Sequence, residues 1–207
     1  MTGAVLAGGR SRRFGQPKAT FKWQEKPLSL HGLDAFPSVC AERLVVVKPD
    51  TPLPPLPHDV RLLHDLYEIQ HPLSGILTAL HHASLEWVFV CAVDMPFLNP
   101  SLFQWMAALA EVEAQRGALY EVLVPEVEGR LQPFHALYRQ KAYQRLLAIA
   151  STGEPLPSLQ AVLRGPSMRV LTPDEGRSFF NLNRPMPEQT QRSPQESEEA
   201  DGFTEKS

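Results

Sequence analysis

The first apolar run of the chain, GAVLA (3–7), is followed by two glycines, three arginines, a third glycine and a lysine in GGRSRRFGQPK (8–18). Gly8 and Gly9 carry no Cβ, so backbone N–H groups there can turn toward an anion at close range. Arg10, Arg12, Arg13 and Lys18 place positive charge around the same loop. Backbone donors ringed by cations make an anion site, and several phosphates suit it better than one. The loop is neither a G-x-x-x-x-G-K-[ST] phosphate loop nor a G-x-G-x-x-G dinucleotide turn. A glycine turn with solvated arginines is the plainer alternative.

Two aspartates offer the matching chemistry. Asp94 closes WVFVCAVD (87–94) and Asp65 closes VRLLHD (60–65). A carboxylate at the end of a buried strand is often a helix cap. The next helix after Asp94 begins only near Pro100, too far away for that. Opposite a phosphate loop, Asp94 is instead placed to hold Mg²⁺. For Asp65 a turn or cap role stays open.

The elements that must position these groups follow from periodicity. Gly3–Ala7, RLVVVK (43–48), VRLLHD and WVFVCAVD are strand-like, and the continuous apolar runs among them suit strands covered on both faces. Leu28–Phe36, PLSGILTALHHA (72–83) and PSLFQWMAALAEVEA (100–114) are helical, the last with Ser101 available as a cap. This β-α-β-α rhythm predicts a three-layer α/β domain, a mostly parallel sheet with helices on both faces. Ligands of such sheets bind outside the carboxyl ends of the strands, where the loop and both aspartates lie. After residue 120 the rhythm changes. VLVPEVEGRLQPFHALYR (122–139) forms two extended segments around a Glu-Gly-Arg turn, followed by helices at 141–150 and 158–163. Late strands are expected at 168–172 and 178–183. KPDTPLPPLPHD (48–59) is an irregular, extended connection.

The totals narrow the class. At 207 residues the chain suits one domain, here 1–187, with a polar, acidic tail at 188–207. A net charge of −3 leaves no broad basic surface, so nucleic acid is not an expected partner. Cys40 and Cys91 are the only cysteines, too few for a disulfide framework or a zinc site. No apolar run approaches a membrane span, and the early arginines follow the apolar segment rather than precede it as in a secretory leader. A cytoplasmic location is expected.

LAGGRSRRFGQPK (6–18) resembles the motif L-A-G-G-x-S-x-R-[MF]-G-x-x-K of nucleotidyltransferases, and within these most of all the molybdenum cofactor guanylyltransferase family. The resemblance extends from Gly3 to about Pro187. It implies a Rossmann-like nucleotidyltransferase fold and transfer of GMP from GTP to molybdopterin with release of pyrophosphate. By the same resemblance Leu6, Ala7 and Gly8 contact the nucleotide, Gly9 and Arg13 shape the loop around its phosphates, and Lys18 lies against the triphosphate. AVDMPFLNP resembles the family's Asp-x-Pro segment, implying that Asp94 holds Mg²⁺, with Mn²⁺ as a substitute. Asp65 would bind the nucleotide. It precedes His71-Pro72-Leu73-Ser74-Gly75, which is similar to the family's Gly-Pro-Leu-x-Gly with His71 in place of the first glycine.

GRLQPFHALY (129–138) and FFNLN (179–183) resemble the family's Gln-Pro-x-His-Ala-x-Tyr and Asn-x-Asn segments on the molybdopterin side. That implies acceptor contacts from Gln132, His135, Asn181 and Asn183, although ordinary structural roles remain open for all four. Cytidylyltransferases of related fold have Ala-Ala-Gly where this chain has Ala-Gly-Gly, so the methyl missing at Gly8 is expected to give a larger base more room. Partners implied are GTP, molybdopterin and proteins of molybdoenzyme maturation. The rival readings are a cytidylyltransferase for molybdopterin or another small phosphorylated acceptor, and a non-catalytic GTP-binding adaptor that delivers the cofactor.

Overall fold

Runs such as Leu44-Val45-Val46-Val47 are apolar at every position, so a strand built from them needs cover on both faces. The computed structural model describes residues 1–8, 15–36, 40–153, 155–165 and 168–171, and it supplies that cover. In chain order the elements are β1 (Thr2–Leu6), β2 (Lys22–Trp23), β3 (Lys26–Pro27), α1 (Leu28–Asp34), β4 (Glu42–Val47) and β5 (Val60–His64). There follow α2 (Leu73–His82), β6 (Trp87–Ala92), α3 (Pro100–Gln115), β7 (Val122–Val127), β8 (Arg130–Leu131), β9 (His135–Arg139), α4 (Ala142–Ala150), α5 (Leu159–Val162) and β10 (Met168–Leu171).

The main sheet has the order β10-β7-β9-β6-β1-β4-β5, with the short β8 pairing off β7. β1 lies parallel to both β4 and β6, and β4 parallel to β5. β9 runs antiparallel between β6 and β7, so the change of rhythm after residue 120 marks where the sheet stops being purely parallel. The expected Glu-Gly-Arg turn is a two-residue hairpin. Glu128 and Gly129 both have positive φ (51° and 73°) between the paired Val127 and Arg130, as hairpin twist requires.

Successive residues of each strand enter opposite cores. Val5, Val45, Phe89 and Cys91 pack with Leu28 and Leu33 of α1 and Phe103 and Met106 of α3. Ala4, Leu44, Val46, Val88 and Val90 pack with Ile76, Leu77 and Leu80 of α2 and Leu146 of α4. The domain therefore has three layers with helices on both faces. Gly3 lets Phe36 rest on the β1 backbone, since a Cβ there would lie 2.6 Å from the ring. Phe89 in turn stacks on Phe103 with 3.9 Å between centroids.

One cap differs from expectation. Asn99, not Ser101, caps α3, its side chain accepting from Ser101 N–H at 2.9 Å. Pro100, which has no N–H, takes the first helical position, so the capping oxygen must come from the residue before it. Between β4 and β5 the chain is irregular from Lys48 to Asp59, and Leu53 and Leu56 pin it to the core. Among the described residues no helix is long and apolar enough to cross a membrane. The strand expected at 178–183 and the tail at 188–207 lie outside the described residues.

Candidate active site

From β1 the sheet grows in two directions, to β4 and β5 on one side and to β6 on the other. Crossovers leaving in opposite directions open a crevice above the carboxyl end of the strand between them. A cleft of about 790 Å³ occupies this place. Leu6 and Gly8 reach it from β1, Val47 and Lys48 from β4, Asp65 from β5, and Ala92 and Asp94 from β6. Lys18 enters from the segment before β2. Ile69, Gln70, His71 and Pro72 form the far wall, with Ser74 and Gly75 of the first turn of α2.

Two lysine–aspartate pairs result. Lys18 Nζ lies 2.6 Å from Asp94 Oδ2, with both side chains about 20% exposed. Lys48 Nζ lies 2.7 Å from Asp65 Oδ2, but here the carboxylate is only 4% exposed. Asp65 also accepts from Ser74 Oγ (2.6 Å), Thr78 Oγ1 (2.9 Å) and Tyr67 N–H (3.2 Å). Lys48 Nζ donates further to the Tyr67 carbonyl (3.1 Å) and to Ser74 Oγ (3.2 Å). Burial alone would raise the Asp65 carboxyl. The hydrogen bonds from Lys48, Ser74, Tyr67 and Thr78 outweigh it and hold the group below the usual carboxylate range.

Leu6, Gly8, Lys18, Asp65 and Asp94 are thus brought together on one cleft. Ala7 sits just behind the wall, 4% exposed, its N–H bonded to the Val46 carbonyl at 2.8 Å. Gly8 is needed for a reason other than room for a base. A Cβ there would stand 2.9 Å from the backbone nitrogen of Lys48, so the end of β4 already fills the space of the missing methyl.

Gln132 and His135 are not on the cleft wall. Gln132 Nε2 donates to the Arg130 carbonyl at 3.2 Å. His135 is fully buried against Phe89 and Phe103, and burial pushes its pKa down to about 3. Phe134, between them, does face the cleft. Gly9, Arg13, Asn181 and Asn183 lie outside the described residues.

Sequence reasoning missed Lys48, Ser74 and Thr78. Lys48 ends RLVVVK as the aspartates end their strands, so the same strand-end rule finds it. Ser74 and Thr78 are hydroxyls at i and i+4 inside the buried stripe of α2. A hydroxyl placed there needs a partner, which is itself a signal.

Asp94 offers a partly exposed carboxylate in the cleft. Mg²⁺ is commonly held by one or two carboxylates, with water and substrate phosphates completing its shell, and the residues present fit that mode. No group of three or more His, Cys, Asp or Glu among the described residues forms a cage that would hold an ion without substrate.

A mostly parallel sheet with a glycine- and arginine-rich first loop and a lysine–aspartate pair at its switch point defines the class as an α/β nucleotidyltransferase. Residues 3–169 match the MobA-like NTP transferase domain, and the chain belongs to that family. It is 33% identical over 193 residues to a probable molybdenum cofactor guanylyltransferase of Chloroflexus aggregans, covering 89% of this chain and 90% of the relative. A probable molybdenum cofactor guanylyltransferase of Deinococcus radiodurans is also 33% identical, over 186 residues, with the same two coverages. Among solved structures, molybdopterin-guanine dinucleotide biosynthesis protein A of Archaeoglobus fulgidus superposes with a TM-score of 0.68 at 22% identity, over 89% of this chain and 93% of that one. The fold extends to 2-C-methyl-D-erythritol 4-phosphate cytidylyltransferase of Thermus thermophilus, with a TM-score of 0.60 at 18% identity, over 97% and 96% of the two chains.

Proposed function

We propose that the chain transfers GMP from GTP to the terminal phosphate of molybdopterin, releasing pyrophosphate. Its relatives, probable molybdenum cofactor guanylyltransferases, support the substrates. The observation that carries the chemistry is the Lys18–Asp94 pair, partly open to the cleft beyond the end of β6.

A phosphate oxygen of the acceptor attacks the α-phosphorus, the bond from that phosphorus to the bridging oxygen breaks, and pyrophosphate leaves with the electron pair. No covalent enzyme intermediate is needed. Catalysis rests on alignment and on charge stabilisation. The Lys18 ammonium turns from Asp94 to the triphosphate and offsets the negative charge that develops during transfer. Backbone N–H groups of the first loop hold the phosphates. Asp94, released from Lys18, is the carboxylate that would hold Mg²⁺, which when bound neutralises phosphate charge.

The test is pyrophosphate release from GTP, CTP or ATP, with and without molybdopterin and Mg²⁺. Release from GTP that depends on the acceptor is the expected result. Release from CTP alone would make the chain a cytidylyltransferase, and tight GTP binding with no release would make it an adaptor.

A further inference from the structure

Beyond the two ion pairs, the cleft carries a side chain whose donor and acceptor atoms are fixed by the fold. His71 lines the cleft, and its Nδ1 accepts a hydrogen bond from Leu73 N–H at 3.2 Å. Its carbonyl accepts from Ser74 N–H at 3.1 Å. His71 thus satisfies two of the N–H groups that the start of α2 leaves without intrahelical partners. A ring nitrogen that accepts carries no proton, so the neutral imidazole holds its hydrogen on Nε2. The ring can offer the cleft a donor there and no acceptor.

The cleft also has a polarity. Its β1–β6 end combines Gly8 with Lys18 and Asp94, the place for phosphates. Its β4–β5 end is lined by Val46, Val47, Pro49, Ile69 and Pro72, and the only ion pair there among the described residues is internally neutralised between Lys48 and Asp65. A triphosphate at the first end leaves a flat, uncharged ring over the second, beside His71. Mainly apolar walls with few placed polar groups suit such a ring.

We propose that His71 adds to the choice of base by donating its Nε2–H to the O6 of a guanine ring. Adenine presents an amino group at the corresponding position, and cytosine presents one at N4, so both meet the histidine donor with another donor. The inference rests on the guanylyl-transfer reading and deepens it.

Equilibrium binding of GTP, ITP and ATP to the wild type and to His71→Ser tests it. ITP keeps O6 and lacks the 2-amino group. Serine keeps an oxygen for the Leu73 N–H but is too short to reach the base, and His71→Asn serves if the serine variant unfolds. GTP and ITP should each lose about tenfold in affinity, the usual weight of one hydrogen bond, with ATP unchanged. Equal weakening of all three nucleotides, or an unchanged GTP-to-ATP ratio, would overturn the base-reading role while leaving guanylyl transfer intact. A wild type with no preference for GTP would overturn both.

Discussion

Lys18–Asp94 and Lys48–Asp65 are chemically the same pair, each at the carboxyl ends of parallel strands and each with nitrogen and oxygen within 2.7 Å. Their carboxylates sit in different settings, while Lys48 (32% exposed) is more open than Lys18. Asp94 and Lys18 are each about one-fifth exposed, on segments 76 residues apart along the chain. Asp65 is 4% exposed and takes donors from the end of β4, from the loop before α2 and from α2 itself. Partly solvated ion pairs contribute little to stability and exchange partners at small cost. Removing a buried, hydrogen-bonded carboxylate strands the groups that donate to it. On the proposed function the first pair opens toward a ligand, while the second holds the cleft wall together.

The comparison predicts a graded series. Lys18→Ala should slow pyrophosphate release by about 10²–10³-fold, the range for loss of a group that stabilises transition-state charge, while its thermal midpoint stays close to the wild type. Equal turnover would remove Lys18 from the mechanism. Asp94→Asn should abolish the Mg²⁺ enhancement of GTP binding and weaken binding in Mg²⁺ on the order of tenfold. Calorimetry with and without the metal reads this, and an unchanged Mg²⁺ dependence would sink the metal assignment.

Asp65→Asn should instead lower folding stability by about 2 kcal/mol, because it leaves the buried hydroxyls of Ser74 and Thr78 imperfectly paired and takes the counter-charge from the partly exposed Lys48. Denaturant unfolding measures it. A loss no larger than that of Asp94→Asn would erase the distinction between the pairs. Thr78→Val removes one donor from Asp65 and the acceptor for Leu66 N–H, and should cost about 1–2 kcal/mol in the same experiment.

The smallest effect is in acid. A carboxyl held below its ordinary value contributes stability that is present above the unfolded pKa, near 3.9, and is lost as pH falls through the folded value. Wild-type stability should therefore decline more steeply below about pH 4 than that of Asp65→Asn. Parallel pH profiles would show that the network does not hold the Asp65 proton off.

Much of the fold was legible in local pattern. RLVVVK and WVFVCAVD announced covered strands because an unbroken apolar run has few other soluble uses, and the strand-end aspartates marked the cleft. The cap of α3 was misplaced by two residues because Pro100 excludes a cap after it, a rule that the sequence contained. His135 was harder. The polar ring in PFHALY signals a binding group or a core residue equally well, and only the pairing of β9 with β6, which sets His135 opposite Cys91 and against Phe89, buries it.

By itself the sequence determined most elements of the main sheet and its helices, though not the short β2–β3 pair, and the charge character of the first loop, since propensity, periodicity and glycine geometry act over a few residues. The tertiary structure alone decided which lysine meets which aspartate, that Gly8 makes way for the backbone of Lys48, and that Ser74 and Thr78 close around Asp65. Those outcomes depend on strand order. A neighbour 13 or 76 residues away along the chain is chosen by how the layers stack, and no local pattern encodes that choice.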